Sequence, residues 1–257
     1  MALRVQSVSK RFGGLQALKR DDLIVETGSL TALIGPNGAG KTTLLNIING
    51  LEATDTGEIF DDGTLITHLP PHERASRGIA RTFQILKGFR QLSVLENVMI
   101  GRHVRTRAGV LHGLFALPSS RAEDRESREV AQEVLKFLGL EAYAERPLAE
   151  LPHGLQRLAE LARAIASEPR ILLTDEPSSG LNPSEVDVLH QALKAIQARG
   201  VTIFLVEHNM RLVTGIATKV IVLNFGDKIA EGTPEEIHNN PAVIAAYLGR
   251  GFGALRA

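Results

Sequence analysis

The 257-residue chain contains no cysteine. That excludes disulfides, thiolate metal sites and cysteine nucleophiles, and it suits a reducing compartment. Surplus charge is missing as well. Lys plus Arg and Asp plus Glu both number 29, so no net charge recruits nucleic acid or an acidic membrane surface. Long hydrophobic runs are also lacking: no stretch approaches the roughly 20 apolar residues of a membrane span. The opening Met1-Ala2-Leu3-Arg4-Val5 has no apolar run of the secretory kind. The expectation is a soluble chain that reaches any membrane through a partner. Internal repeats, low-complexity tracts and coiled-coil heptads are not found.

What is present is an ordinary globular composition, 44% hydrophobic and 23% charged. The length allows one large domain, or a domain with a subsidiary lobe. One stretch organises the rest: Gly35-Pro36-Asn37-Gly38-Ala39-Gly40-Lys41-Thr42-Thr43. Leu30–Ile34 before it reads as a buried strand, and Leu44–Ile48 after it as the first turns of a helix. Strand, glycine-rich loop, Lys-Thr and helix together form the context of a phosphate-binding P-loop. Glycines let successive N–H groups curl around phosphate oxygens, and the helix starting at Lys41 aims its unpaired N–H groups at the same anion. Lys41 adds charge for the β- and γ-phosphates, and the Thr42 hydroxyl is placed for Mg²⁺.

Around this stretch the chain alternates. Strands are expected near Leu3–Val8 and Leu23–Val25, with Phe12-Gly13-Gly14 between them. A hairpin turns at Asp62-Gly63, and Pro71 opens a short helix. His68 and His72 have the spacing of helical metal ligands, but Pro70 and Pro71 forbid a continuous helix, so a metal site is rejected there. Ile79–Gln84 returns to strand, and Ser93 caps a helix running to about His103. The stretch 101–127 is the least regular, either a surface excursion or a partner-facing lobe. Val130, Val134, Phe137 and Leu138 then share a helix face, as do Leu158, Leu161, Ala162 and Ile165 in a helix expected from Leu155. In the last third, strands at Ile171–Thr174, Val201–Val206 and Lys219–Leu223 alternate with helices. That pattern implies a largely parallel sheet covered on both faces. Asp175-Glu176 ends the first of these strands. An Asp there holds Mg²⁺ in P-loop proteins, and Glu176 stands where a carboxylate takes a proton from attacking water.

The ordered set of P-loop, Gln84 after a strand, Leu151 to Leu155 before a helix, Asp175-Glu176-Pro177 and Glu207-His208 resembles the ATP-binding subunits of ABC transporters. The resemblance covers nearly the whole chain. It is nearest to the subunits of branched-chain (hydrophobic) amino acid importers, on Arg81-Thr82-Phe83-Gln84, Gly180-Leu181-Asn182-Pro183 and Gly232-Thr233-Pro234-Glu235-Glu236. It implies an α/β P-loop ATPase with a mainly parallel core sheet, an N-terminal antiparallel β subdomain and an inserted helical subdomain. Residues 1–250 would form one ATP-binding domain with the helical subdomain at about 85–158, and 251–257 would be a tail. ATP and Mg²⁺ are the implied cofactors. A second ATPase subunit, integral membrane permease subunits and a solute-binding protein are the implied partners, at the cytoplasmic side of the cell membrane, with no nucleic acid.

By the same resemblance Thr43 adds a phosphate contact and Phe12 stacks on adenine. Gln84 senses Mg²⁺ or the attacking water, and His208 is the switch histidine at the γ-phosphate. Leu151, Pro152, His153, Gly154 and Leu155 form the signature that faces the partner's ATP, and Asn182 lies in the D-loop. The signature departs from the common Leu-Ser-Gly-Gly-Gln, because Pro152 supplies neither the Ser hydroxyl nor an N–H. Asn182 likewise stands where many relatives have Asp. Two other readings stay open: a soluble ABC ATPase outside transport, and an ATP-dependent regulatory subunit of low turnover.

Overall fold

The structure, a computed structural model, describes residues 1–82, 89–105 and 118–248. Phe83, Gln84, residues 106–117 of the 101–127 stretch and the 251–257 tail lie outside the described residues.

Two sheets clasp one helix. The first is antiparallel, in the order β2-β1-β4-β5, from β1 (Leu3–Phe12), β2 (Leu15–Val25), β4 (Thr56–Asp61) and β5 (Thr64–Leu65). Its Asp62-Gly63 turn has positive φ at both residues, as a two-residue hairpin demands. The second sheet runs β10-β9-β3-β8-β7-β6. Its strands are β3 (Leu30–Ile34), β6 (Ile79–Arg81), β7 (Ile171–Asp175), β8 (Thr202–Val206), β9 (Lys219–Asn224) and β10 (Asp227–Gly232). Among the described residues, its β9–β10 pair is antiparallel and its other pairs are parallel. β3, β7 and β8 are buried at every position, which explains why they read as unbroken apolar runs rather than alternating ones.

Helix α1 (Lys41–Asn49) lies between the sheets. Leu44, Leu45, Ile47 and Ile48 pack with Leu3, Val5 and Leu18 on one side and Leu173, Phe204 and Val206 on the other. Burying each such side chain is worth about 1.5–3 kcal/mol. Gly50 ends the helix in the left-handed region, with its N–H on Ile47 O and the Leu51 N–H on Asn46 O, closing the last turn. Among the described residues the further α-helices, in chain order, are α2 (Pro71–Ser76), α3 (Val94–Gly101), α4 (Pro118–Phe137), α5 (His153–Ala166), α6 (Pro183–Ala198), α7 (Met210–Ile216), α8 (Pro234–His238) and α9 (Pro241–Leu248). α3, α4, α5 and α6 share a second core with Leu172, Ile203 and Leu205 on the opposite face of the parallel sheet.

The structure corrects two expectations. The last part of the 101–127 stretch, from Pro118, is helical: α4 begins there and runs unbroken to the predicted apolar stripe. Helix α5 begins at His153, two residues before the expected Leu155, because Pro152 takes extended backbone and serves as its N-cap. His68 precedes α2 and His72 lies within it, so no continuous helix joins the two histidines.

Candidate active site

The carboxyl ends of β3, β7 and β8 lie side by side, the usual location of ligand sites in open parallel sheets. β3 delivers the P-loop, β7 delivers Asp175 and Glu176, and β8 delivers Glu207 and His208. Thr31–Leu33 pair with Phe204–Val206, and Asp175 pairs with Val206, so one register fixes all three loops.

Two close approaches shape the P-loop. A Cβ on Gly35 would sit 2.1 Å from Leu223 O, and one on Gly40 would sit 2.5 Å from Ala17 O. Gly40 is also the N-cap of α1 with φ 104°, offers no side-chain cap, and is followed by no acidic residue in the first turn. The first N–H groups of α1 therefore stay available to an anion. Lys41 is buried, and its Nζ donates to Gly35 O (2.7 Å) and Pro36 O (3.1 Å), spanning the loop. Burial depresses the Lys41 ammonium below its ordinary pKa, while the charges of Glu176 and Asp175 act the other way. A phosphate would meet a preformed cation. Thr42 is exposed and Thr43 half-buried on the first turn of α1; Pro36 is half-buried, Asn37 and Gly38 exposed, and Ala39 buried.

Asp175 is buried and splits its two oxygens. Oδ2 accepts from Arg81 Nη2 at 3.0 Å, and Arg81 Nη1 donates to Asn46 Oδ1 of α1 at 2.7 Å. Oδ1 is buried without a hydrogen-bond partner among the described residues, an acceptor that fits the water shell of a hard cation. Glu176 follows in the left-handed region with φ 46°, costly for a side chain of its size. Its N–H on Val206 O (2.9 Å) holds this conformation. The outcome is a Glu176 carboxylate 3.8 Å from His208 Nδ1, with the histidine side chain 54% exposed and the glutamate 18%.

The other predicted residues are spread around this edge. Phe12 is 46% exposed at the end of β1, with Lys10 Nζ 5.2 Å from its ring centre. Leu151 is buried, Pro152 and His153 are exposed, Gly154 is buried and Leu155 half-buried, at an α5 N-terminus with no side-chain cap. Asn182 caps α6: its side chain accepts from Glu185 N (3.0 Å), while Glu185 Oε2 accepts from Asn182 N (2.9 Å).

Sequence reasoning missed three participants. Arg81 bridges Asp175 to α1. Glu207 is buried behind His208. Tyr247 on α9 has its phenol pushed up by burial, opposed by a hydrogen bond with the Gly35 backbone, which brings α9 to the start of the P-loop. Arg81 stood inside a segment read as strand, where a charge carries no sign of a buried partner, and an acid beside a histidine carries no sign of burial either.

Comparison with known proteins identifies the family. The family model described as ABC transporter matches residues 18–179. The chain belongs to the ABC transporter family. A second model, described as Branched-chain amino acid ATP-binding cassette transporter, matches residues 228–253. The chain is 41% identical over 248 residues to the high-affinity branched-chain amino acid transport ATP-binding protein BraF of Pseudomonas aeruginosa, covering 96% of this chain and 97% of that protein. A crystal structure of a nucleotide-free ATP-binding cassette from an ABC transporter superposes with TM-score 0.85 at 33% identity, over 97% of this chain and 99% of the other. The dimeric structure of MJ0796, a bacterial ABC transporter cassette, matches with TM-score 0.77 at 27% identity, over 90% and 98%. The chain is therefore a nucleotide-binding ABC ATPase.

Proposed function

We propose that this ATPase drives import of branched-chain or other hydrophobic amino acids. Two cassettes would sandwich two ATP molecules, docked to permease subunits at the cytoplasmic side of the membrane, with a solute-binding protein delivering the cargo. The observation that carries the catalytic part is the meeting of the P-loop, Asp175, Glu176 and His208 at one sheet edge. The solute assignment rests on likeness to BraF and on the C-terminal module at 228–253.

Each residue has a part in this reading. The N–H groups of Gly35 to Gly40 and of the first turn of α1 cradle the phosphates, Lys41 neutralises them, and Thr43 adds a contact. Phe12, exposed at its strand end, stacks on adenine. Thr42 and Asp175 would hold Mg²⁺, with Gln84 completing the set. Mg²⁺ supplies neutralisation of charge on the phosphate oxygens. Glu176 takes the proton of the water that attacks the γ-phosphorus as the bond to the β-phosphate oxygen breaks. His208, within reach of Glu176, orients that carboxylate and contacts the γ-phosphate. Across the dimer, Leu151–Leu155 present the N–H groups of the α5 N-terminus to the partner's ATP, and Asn182 lines the same interface.

The test is phosphate release by the complex purified with its permease subunits, together with identification of the ligand carried by the co-purified solute-binding protein. Mg-dependent hydrolysis lost in Glu176→Gln, with a hydrophobic amino acid as ligand, is expected. Wild type as inactive as that variant while binding ATP normally would refute the catalytic roles. A chemically different ligand would refute the solute.

A further inference from the structure

We infer that Glu207 is the positioning residue that sets the catalytic loop of Glu176 against the loop of His208. The inference rests on the catalytic reading above and adds a residue that takes no chemical part in it.

Glu207 is fully buried at the end of β8. Its own N–H bonds Leu33 O of β3, at 3.2 Å, just before the P-loop. From there the side chain crosses to the neighbouring loop. Oε1 accepts from Ser178 N at 2.9 Å, two residues beyond Glu176, and Oε2 accepts from His208 N and Asn209 N, both at 3.0 Å. Among the described residues the carboxylate is held by these main-chain N–H groups and forms no ion pair. Charge-assisted bonds of this kind are strong, and they offset a desolvation that an unpaired buried carboxylate would not survive.

The three donors belong to two loops. One is the segment that turns Glu176 into its left-handed conformation and leads to Asn182, where Ser179 N also bonds Glu176 O at 3.1 Å. The other carries His208 and the N-cap of α7, Asn209. A single rigid carboxylate therefore fixes the spacing that leaves Glu176 and His208 3.8 Å apart. Buried and with both oxygens engaged, Glu207 acts only through those two residues.

The decisive variant is Glu207→Gln. Its amide has one acceptor, so an NH₂ group faces either the Ser178 N–H or the His208 and Asn209 pair, and one loop is released. Glu207→Asp keeps the charge but is about 1.5 Å too short to hold both loops. With MgATP, both variants are expected to lose about tenfold or more in kcat, with KM and the ATP Kd within about twofold of wild type. The discriminating measurement is His208→Ala in both backgrounds. Alone it should lower kcat at least about tenfold, but in Glu207→Gln it should change kcat less than about twofold, because the histidine is already misplaced.

Equal costs of His208→Ala in the two backgrounds, or unchanged kcat in Glu207→Gln, would overturn the inference. If Glu207→Gln does not fold, a Glu207→Asp protein that hydrolyses like wild type overturns it, since charge alone then suffices. Failure of both to fold would assign Glu207 to the fold alone and overturn it equally. If His208→Ala and Glu176→Gln each leave kcat intact in the wild type, the catalytic reading itself has failed, whatever Glu207→Gln does.

Discussion

Replacing Arg74 with methionine should be among the most damaging changes outside the phosphate site. The guanidinium is 1% exposed and donates to four main-chain oxygens: Ile47 O, Ile48 O and Thr67 O at 2.7 Å each, and Leu69 O at 2.9 Å. Ile47 and Ile48 belong to the last turn of α1, where carbonyls have no intrahelical partner and a cation complements the helix dipole. Among the described residues no carboxylate pairs with Arg74, and burial alone pushes its pKa down to about 10.

Methionine fills the volume but leaves Ile48 O, Thr67 O and Leu69 O without this donor, while Ile47 O keeps the Gly50 N–H at 3.1 Å. Each stranded carbonyl costs about 1–3 kcal/mol, and relief from burying a cation returns part of the sum. A net loss of about 3–5 kcal/mol follows, or a Tm lower by roughly 6–20 °C for a chain of this size. Urea unfolding at neutral pH, read as a shift in midpoint at constant m-value, measures it. Arg74→Lys, with three donors on one nitrogen, should recover about half. A methionine variant within about 1 kcal/mol of wild type, or a lysine variant indistinguishable from wild type, would refute the reasoning.

Asp21 is buried, its pKa raised to about 6 mainly by desolvation, and its Oδ2 has no hydrogen-bond partner among the described residues. The native state therefore binds a proton that the unfolded chain releases near 3.8, so this group lowers stability as pH rises from about 4 to about 6, by up to about 3 kcal/mol. Asp21→Asn should raise Tm at pH 7.5 and lose that advantage near pH 4; a pH-independent difference would contradict the assignment. Gly40→Ala drives a Cβ to 2.5 Å from Ala17 O, whereas at Gly38 a Cβ meets nothing within 4 Å. The first should abolish binding of a fluorescent ATP analogue and lower Tm sharply; the second should cost only the roughly 1–2 kcal/mol of its left-handed backbone. Arg81→Met strands the buried Asp175 carboxylate, at a cost of about 3–5 kcal/mol. Adding Asp175→Asn should recover much of that in urea unfolding, and strict additivity of the two changes would exclude their coupling.

What was legible in the sequence was what is decided locally. The P-loop could be read because its glycines, its buried strand and its helix lie within 20 consecutive residues, and the parallel sheet because β3, β7 and β8 are apolar on both faces. The starts of α4 and α5 could not be placed. α4 opens on residues with no apolar stripe, and α5 is capped by Pro152, a residue type that offers no side-chain cap. β10 and α8 were recognised only as a family-like ending, although Thr233 and Glu236 form a capping box that could have marked the helix. Arg74, Arg81 and Glu207 look like ordinary surface charges in the chain. Each is buried by pairing between distant segments, Glu207 because β8 runs between β3 and β7.

The departure at Pro152 can be weighed against what surrounds it. A Cβ on Gly154 would lie 2.6 Å from Glu185 Oε1, and one on Gly180 would lie 3.1 Å from the His153 ring. The signature segment and the loop before α6 are thus fitted to each other: glycine in each makes room for a side chain of the other. Glu185 is not free to move aside, because it reciprocates the cap made by Asn182. An amide at 182 serves that cap as well as a carboxylate would, so the two departures from the common pattern leave this joint intact. What Pro152 removes is one hydroxyl and one N–H at the edge of the α5 N-terminus. The N–H groups of His153, Gly154 and Leu155 still begin a helix with no side-chain cap of its own. On the proposed reading, contact of this segment with the partner's ATP would come from the helix start rather than from a side-chain hydroxyl.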